Sequence, residues 1–499
     1  METSPNARTA ESLNAAPHGI VRAYEDLPGP RGLPFLGNAL QLDAPRLHLQ
    51  LEQMSREFGP LFKLKLPGRR LLVVSDHELV AAVLRDRPEG FSRSNKLQEI
   101  WTELGLPIGV FVANGDVWKR QRRMVMAGFD PAHIRRYYPS MVGVSQRLAA
   151  RWRRAAAAGN AVDLQPELMR YTVDTIAGLA FGAEVDTLGA DGDVIQQHLD
   201  QIFPALWQRM FKPLPVWRWL PSSADRRLAQ SIQQVNQAVD AFVVEARARM
   251  AADPARRAAP PNLLEAMIVA ADEPASGIDD QQVAGNVLTM LLAGEDTTAN
   301  TLAWMLNLLW QNPATLARAV AEVQHVVGDN ASPSLEHMAQ LEYVEACAHE
   351  TMRLKPVAPL IGAQTRREVM IGDVRVPEGV IVTTVMRRDS VSDAHIPNAA
   401  AFKPERWLAD SANAANAVAA AISVKRVSMP FGAGPRICPG RYLALLEMKL
   451  AITTILRDFD ITAVDTPDGG PAQELMQLAM APVGLRMRLR VKMREAIAA

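Results

Sequence analysis

The chain has 499 residues, with 54 Lys and Arg against 54 Asp and Glu, 48% hydrophobic residues and two cysteines. Balanced charge with this much apolar content excludes a disordered chain and a nucleic-acid binder that works by bulk charge. Two cysteines exclude a disulfide framework, and they exclude a structural zinc site or iron–sulfur cluster without extensive histidine help, so a reducing compartment is the default.

The opening segment METSPNARTAESLNAAPHG is small and polar and lacks the apolar stretch of a signal peptide. Nowhere do 18 residues run without polar interruption, so no transmembrane anchor is expected and the protein is expected to be soluble and cytoplasmic. Residues 1–26 are expected to be a flexible N-terminal segment. The fold is expected to start at Leu27, because Leu27 to Asn38 is too rich in Pro and Gly to be helix. Leu61 to Leu66 alternates apolar and basic residues, PGR turns, and the apolar run ending at Val74 completes a strand pair.

Beyond Val74 the chain reads mostly as helix. GDVWKRQRRM puts Trp118 and Arg122 at i,i+4 on one helical face. From Lys119 to Arg136 it belongs to a basic stretch, with Lys119, Arg120, Arg122, Arg123, Arg135 and Arg136 against Asp130. That stretch reads either as a solvated face or as a docking surface for an acidic partner. The Ala-rich tracts Ala155 to Ala158 and Ser411 to Ser423 read as a helix end and a surface insertion. Between Phe203 and Pro221, Trp207, Phe211, Trp217 and Trp219 crowd a Pro-rich connection. Its first reading is a lid over a channel; the rivals are peripheral membrane contact and a partner contact.

The clearest helix has Asp279 as N-cap and runs to Gln311, where Asn312-Pro313 stops it, a length of about 48 Å. Its faces are apolar almost all round, which marks a helix through the interior. In its middle AGEDTT interrupts the apolar run, and burying those carboxylates is costly unless they are used. HETMRL then sets Glu350 and Arg353 at i,i+3 before Pro356, a pairing that in isolation reads as a solvated surface ion pair. A second strand set spans Asp373 to Met386, and KPERWL comes after it.

The most informative segment is FGAGPRICPG, Phe431 to Gly440, directly before a helical pattern. A cysteine just before a helix gains thiolate stability from the helix N-terminus, and Gly432 and Gly434 let the backbone wrap around the sulfur. This is how a protein holds a soft anionic metal ligand. The other cysteine, Cys347, reads as inert core.

At Phe431, Gly434, Arg436, Cys438 and Gly440 the sequence resembles the cytochrome P-450 family of haem-thiolate monooxygenases, whose Cys-loop pattern F-x-x-G-x-R-x-C-x-G it matches throughout. The resemblance implies a mainly α fold with small β sheets (α+β), a long central helix over haem, and one haem domain over residues 27–499. It implies haem b (iron protoporphyrin IX) as cofactor, with Cys438 as the axial ligand of the iron, Phe431 shielding the sulfur and Gly432 and Gly440 shaping the loop. It implies Arg436, Trp118 and Arg122 at a haem propionate. Ala293, Gly294, Asp296, Thr297 and Thr298 match the family pattern of the central helix. This implies that Gly294 leaves room over the haem, that a threonine hydroxyl opens the helix, and that Asp296 and Thr297 relay protons during oxygen activation. Arg406 of KPERWL is implied to join Glu350 and Arg353 in a buried network that holds the Cys loop. The position that usually offers Arg or His to the second propionate falls on Ala363, with Arg366 and Arg367 nearest.

The resemblance further implies insertion of one oxygen atom from O2 into a hydrophobic organic substrate, by hydroxylation or epoxidation. No flavin or ferredoxin module follows the haem region, so electrons are expected from a separate ferredoxin, flavodoxin or flavoprotein reductase. The donor would dock on a basic proximal face that adds Lys425, Arg426, Arg441 and Lys449. The alternatives are a haem-thiolate peroxygenase, an isomerase or dehydratase, and a non-enzymatic sensor. The segments expected to line the substrate pocket are 91–112, 202–211, 292–293, 357–360 and 478–480, all strongly apolar.

Overall fold

The computed structural model describes residues 21–182, 186–189, 194–212, 214–408 and 424–493. The insertion expected at Ser411 to Ser423 and residues 1–20 lie outside them. The described chain is mostly helical, with small sheets built from β1 (Arg22–Ala23), β2 (Leu61–Leu66), β3 (Arg69–Val74), β4 (Phe91–Ser92), β5 (Val162–Asp163), β6 (Leu360–Thr365), β7 (Val369–Ile371), β8 (Val374–Val376), β9 (Ile381–Val385), β10 (Phe459–Asp465), β11 (Glu474–Gln477), β12 (Ala479–Pro482) and β13 (Arg486–Val491).

The expected strand pair forms with Leu61 opposite Val74 and Leu66 opposite Arg69, closed by a Pro67-Gly68 turn in which Gly68 takes φ +67°. This hairpin is the edge of a five-stranded sheet in the order β2-β3-β9-β6-β4, where β3 pairs parallel with β9 across some three hundred residues of chain. β1 pairs parallel with β8, and Tyr24 behind it is buried. Ordered structure therefore begins before Leu27, inside the segment expected to be flexible.

The principal helices are α1 (Leu47–Phe58), α2 (His77–Arg85), α3 (Asn95–Glu103), α4 (Gly115–Gly128), α5 (Pro131–Ala157), α6 (Leu164–Phe181), α7 (Ile202–Phe211), α8 (Ser223–Ala252), α9 (Leu263–Ala271), α10 (Asp280–Gln311), α11 (Glu342–Leu354) and α12 (Arg441–Asp458). α10 is the long apolar helix of the sequence. Asp279 caps it, its side chain accepting from the Gln282 N–H at 2.8 Å. It is buried on nearly every side, and α6 packs along it so closely that a Cβ on Gly294 would meet Ile176 Cδ1 at 2.6 Å. A larger residue at this position would have to displace the Ile176 side chain. Tyr171 of α6 donates to the Glu447 carbonyl of α12, so these three helices form the frame around one large cavity.

Candidate functional site

The cavity is bounded on one side by the Cys loop and on the other by the middle of α10. In the loop the Cys438 N–H donates to the Phe431 carbonyl at 3.0 Å, and a short 3-10 turn spans Gly434–Arg436. Gly432 and Gly434 both have positive φ, +73° and +70°, where a side chain would strain the backbone. Gly434 has a further reason: a Cβ there would meet the Leu84 carbonyl oxygen at 2.5 Å, so it seats the loop on α2 rather than around the sulfur. Gly440 caps α12, and its N–H together with Arg122 and Arg441 favours the Cys438 thiolate. Burial outweighs them and pushes the thiol above its ordinary range, contrary to the sequence expectation of a thiolate stabilised by the helix end alone. A metal cation bound at this sulfur would shift the balance, since a metal deprotonates a coordinating thiol outright. Cys347 lies fully buried in α11, its thiol raised chiefly by burial.

Across the cavity, Ala293, Gly294, Thr297, Thr298 and Thr301 line the wall. The Thr297 hydroxyl donates to the Ala293 carbonyl at 2.7 Å, and Thr301 does the same to Thr297. α10 nevertheless remains α-helical from Asp280 to Gln311, so the threonine does not break the ladder as expected. Asp296 sits beside Thr297 but off the cavity wall. Burial, with Asp200 adding like charge, raises its carboxyl to about 7. Glu295 is more deeply buried, has one unpartnered oxygen and is held well above the carboxylate range by burial, Asp200 and Asp296.

One edge of the cavity gathers four guanidinium groups, from Arg87, Arg93, Arg122 and Arg436. Arg122 donates to the Ile437 carbonyl at 2.7 Å, tying α4 to the Cys loop. Arg436 donates to the Ala113 carbonyl at 2.6 Å and stacks over Trp118 at 4.6 Å, yet its Nε has no partner. Arg93 donates to the Phe111 carbonyl, and Arg87, 4% exposed, has neither Nε nor Nη2 paired. Among the described residues none of the four meets a carboxylate. Burial lowers Arg93 to about 10, and burial with the neighbouring cations lowers Arg436 to about 9. One buried and three half-buried cations, with open donors on Arg87 and Arg436, are costly unless an anion enters beside them.

Between α11 and the Pro404–Trp407 turn the opposite situation holds. Arg353 makes a bidentate pair with Glu350, at 2.8 and 2.7 Å, with both side chains fully buried. Arg406 donates to Glu350 at 3.0 Å, as do the Trp407 indole at 2.8 Å and the Lys403 N–H at 2.9 Å. The remaining donors of Arg353 go to the carbonyls of Ser390, Ala399 and Ala401. The geometry brings the three expected residues together, and Trp407 and Lys403 complete the shell.

Residues 27–489 match the family model for cytochrome P450. The chain belongs to the cytochrome P450 family. It is 28% identical over 450 residues to the self-sufficient cytochrome P450 monooxygenase CYP505E3 of Phanerodontia chrysosporium, covering 88% of this chain and 40% of that one. It is 26% identical over 426 residues to LUTEIN DEFICIENT 5, a chloroplastic protein of Arabidopsis thaliana, covering 83% of this chain and 69% of the other. The chain thus spans under half the length of the self-sufficient relatives it matches. The crystal structure of the cytochrome P450DA heme domain superposes with a TM-score of 0.79 at 25% identity, covering 95% of this chain and 99% of that one.

Haem is the cofactor of this P450 family, and the residues present fit it. Cys438 would offer a sulfur to iron, the walls are mostly apolar, and the four arginines would offer the positive charge that two propionates require. Sequence reasoning missed Arg87 and Arg93. It looked for the second propionate's partner at Ala363, which is buried in β6, while Arg366 and Arg367 turn away to the Pro88 carbonyl and to Asp86. The signal available in the sequence was Arg-Pro followed by FSR, with Arg87 just before, and Arg93 just inside, the segment 91–112 assigned to the substrate pocket.

The P450 cavity is lined by residues from each expected segment, including Trp101, Phe111, Phe203, Val357 and Leu478. It also has a wall the sequence reading did not assign, made by Leu47 and Leu51 of α1, Leu64, Leu66 and Leu71 of the β2–β3 hairpin, and Leu42 from the segment before α1. The connection 203–221 divides in two. Trp207 and Phe211 belong to α7 and pack inward, with the Trp207 indole donating to the Ala44 carbonyl. Trp219 and Leu220 are exposed on a short turn that Arg218 fastens to Glu99 and Glu103 of α3. The expected basic face also loses a member: Lys449 is 5% exposed and paired with Glu345 at 2.6 Å, because α12 is buried almost all round. Arg123, Lys425 and Arg426 remain exposed. No described helix is long and apolar enough to cross a membrane.

Proposed function

We propose that this P450 inserts one oxygen atom from O2 into an unactivated C–H or C=C bond of an apolar, extended substrate. The observation that carries the reading is that Cys438 and Thr297 line one and the same cavity, whose remaining walls are mostly aliphatic and aromatic. Bound there, haem supplies the iron chemistry that activates O2. The chain's own residues do the rest. The six leucines of the added wall hold an apolar chain and exclude water along its length. Thr297 presents its hydroxyl to the cavity while Asp296, raised to about 7 by burial, exists in both protonation states near neutrality and so can replenish protons there. Arg123, Lys425 and Arg426, with half-buried Arg441, offer a basic surface beside the Cys loop for an electron donor with an acidic face.

The test is a screen of apolar compounds for a substrate-induced change in iron spin state, with the ferrous carbon monoxide spectrum as control. A freshly reduced, folded protein without the strongly red-shifted Soret band would sink the Cys438 assignment. For the proton path, Thr297→Ala is expected to consume electrons without matching product and to release peroxide. Unchanged coupling with the best substrate would remove Thr297 from the mechanism.

A further inference from the structure

Away from the cavity, His77, Asp389 and His395 place three metal-ligating groups together. His77 opens helix α2, whereas Asp389 and His395 lie on the segment between β9 and the Pro404–Trp407 turn, so the group joins two parts of the chain that are distant in sequence. His77 Nδ1 is 2.9 Å from Asp389 Oδ2, and His395 Nε2 is 3.6 Å from Oδ1 of the same carboxylate. The two imidazoles meet edge-on with centroids 4.9 Å apart, and all three donor atoms lie within 4.8 Å of one another. His77 and Asp389 are buried, and the His395 side chain keeps 32% of its surface, which leaves an open side.

Asp389 has structural duties of its own. It accepts from the His77 N–H at 2.8 Å and from Arg388 Nη1 at 2.9 Å. Those contacts orient the carboxylate, as outer partners orient ligands in metal sites. They do not account for two imidazole nitrogens directed at it from different elements.

We propose that His77, Asp389 and His395 bind a divalent transition-metal ion, with zinc the best match. Two imidazole nitrogens and one carboxylate oxygen are a ligand set zinc favours, whereas magnesium and calcium select oxygen. Donors around a tetrahedral zinc stand roughly 3.4 Å apart; here the two imidazole nitrogens approach different oxygens of Asp389, at 2.9 and 3.6 Å, and one donor atom from each residue lies within 4.8 Å of the others. A small rotation of the exposed His395 ring brings the third pair into range, and water takes the fourth position on the open side. The Arg388 guanidinium on Asp389 opposes a second cation, so the affinity is that of an exchangeable site rather than a permanent one. Binding would fasten α2 to the segment whose Ser390 and Ala399 carbonyls accept from Arg353, stiffening the support of the Cys loop.

The experiment dialyses the haem-loaded protein against zinc chloride and counts zinc per chain by mass spectrometry. Haem occupies Cys438 and burial protects Cys347, so neither thiol competes. The parent is expected to hold one zinc per chain, and His395→Ala to lose at least about tenfold in zinc affinity while keeping its haem content and carbon monoxide spectrum. His395 carries the test because it is partly exposed and its removal leaves the cap on α2 intact; His77→Gln is the second variant. Absence of stoichiometric zinc in the parent at large excess, or an unchanged zinc count in His395→Ala, overturns the proposal.

Discussion

Two clusters of charge, one around Glu350 and one at the edge of the cavity, differ in how they are closed. In the Glu350–Arg353–Arg406 network every strong donor of Arg353 and both oxygens of Glu350 are filled by protein groups. In the Arg87–Arg93–Arg122–Arg436 cluster the cations meet carbonyls, a ring and one another, and several donors stay open. A closed cluster stabilises the fold it is part of. An open one destabilises the empty protein and holds that free energy in reserve for an anionic ligand.

The largest effect is expected from breaking the closed cluster. Glu350→Gln leaves Arg353 as an uncompensated buried cation and should cost about 3–5 kcal/mol, read as a collapse in folded yield and unfolding midpoint. A midpoint equal to the parent's would show that the network is not a frame. The open cluster should respond with the opposite sign. Arg87→Met removes an unpaired cation, so the haem-free chain should be no less stable, while transfer of haem to apomyoglobin should speed up by about tenfold or more. Equal haem retention would mean that Arg87 does not face a propionate.

A third prediction concerns a buried acid that no cation faces. Glu295 is raised in the folded state, so between its unfolded and folded pKa the native protein binds the extra proton, and stability falls as pH rises through that window. The stability difference between the parent and Glu295→Gln should therefore grow against the parent above about pH 4.5, by up to about 1.4 kcal/mol per pH unit. A pH-independent difference would place the ionised form in contact with water. The smallest effect is expected at the exposed pairs of Arg218 with Glu99 and Glu103. Arg218→Ala should leave the unfolding midpoint unchanged and alter only the rate of the substrate-induced spectral change. A lowered midpoint would make this turn part of the frame rather than a latch.

The features legible in the sequence were the local ones. The Cys loop, the capped helix from Asp279 to Gln311 and the Glu350–Arg353 spacing are short-range patterns with a direct physical reading, and the chain has them where expected. Arg87, Arg93 and the six leucines of the cavity wall were missed because tertiary packing alone brings them to the site, through the pairing of β3 with β9 and the seating of Gly434 on α2. Lys449 was misplaced for the same reason: a lysine in an amphipathic-looking run reads as surface until the helix is seen to be buried all round. Trp207 and Trp219 look alike in the sequence and end on opposite sides of the protein skin, one filling the cavity wall and one facing solvent.

The pairing of β3 with β9 also sets an order of events. The hairpin that walls the cavity finds its neighbouring strand only when residues 381–385 exist, and Glu52 finds its buried partner Arg387 at the same stage. During synthesis the first quarter of the chain must therefore remain without its closing strand while more than three hundred residues are added. Cys438 is likewise made after the cavity walls it faces, so a haem held by its sulfur would be captured only after the hairpin has waited for its neighbouring strand.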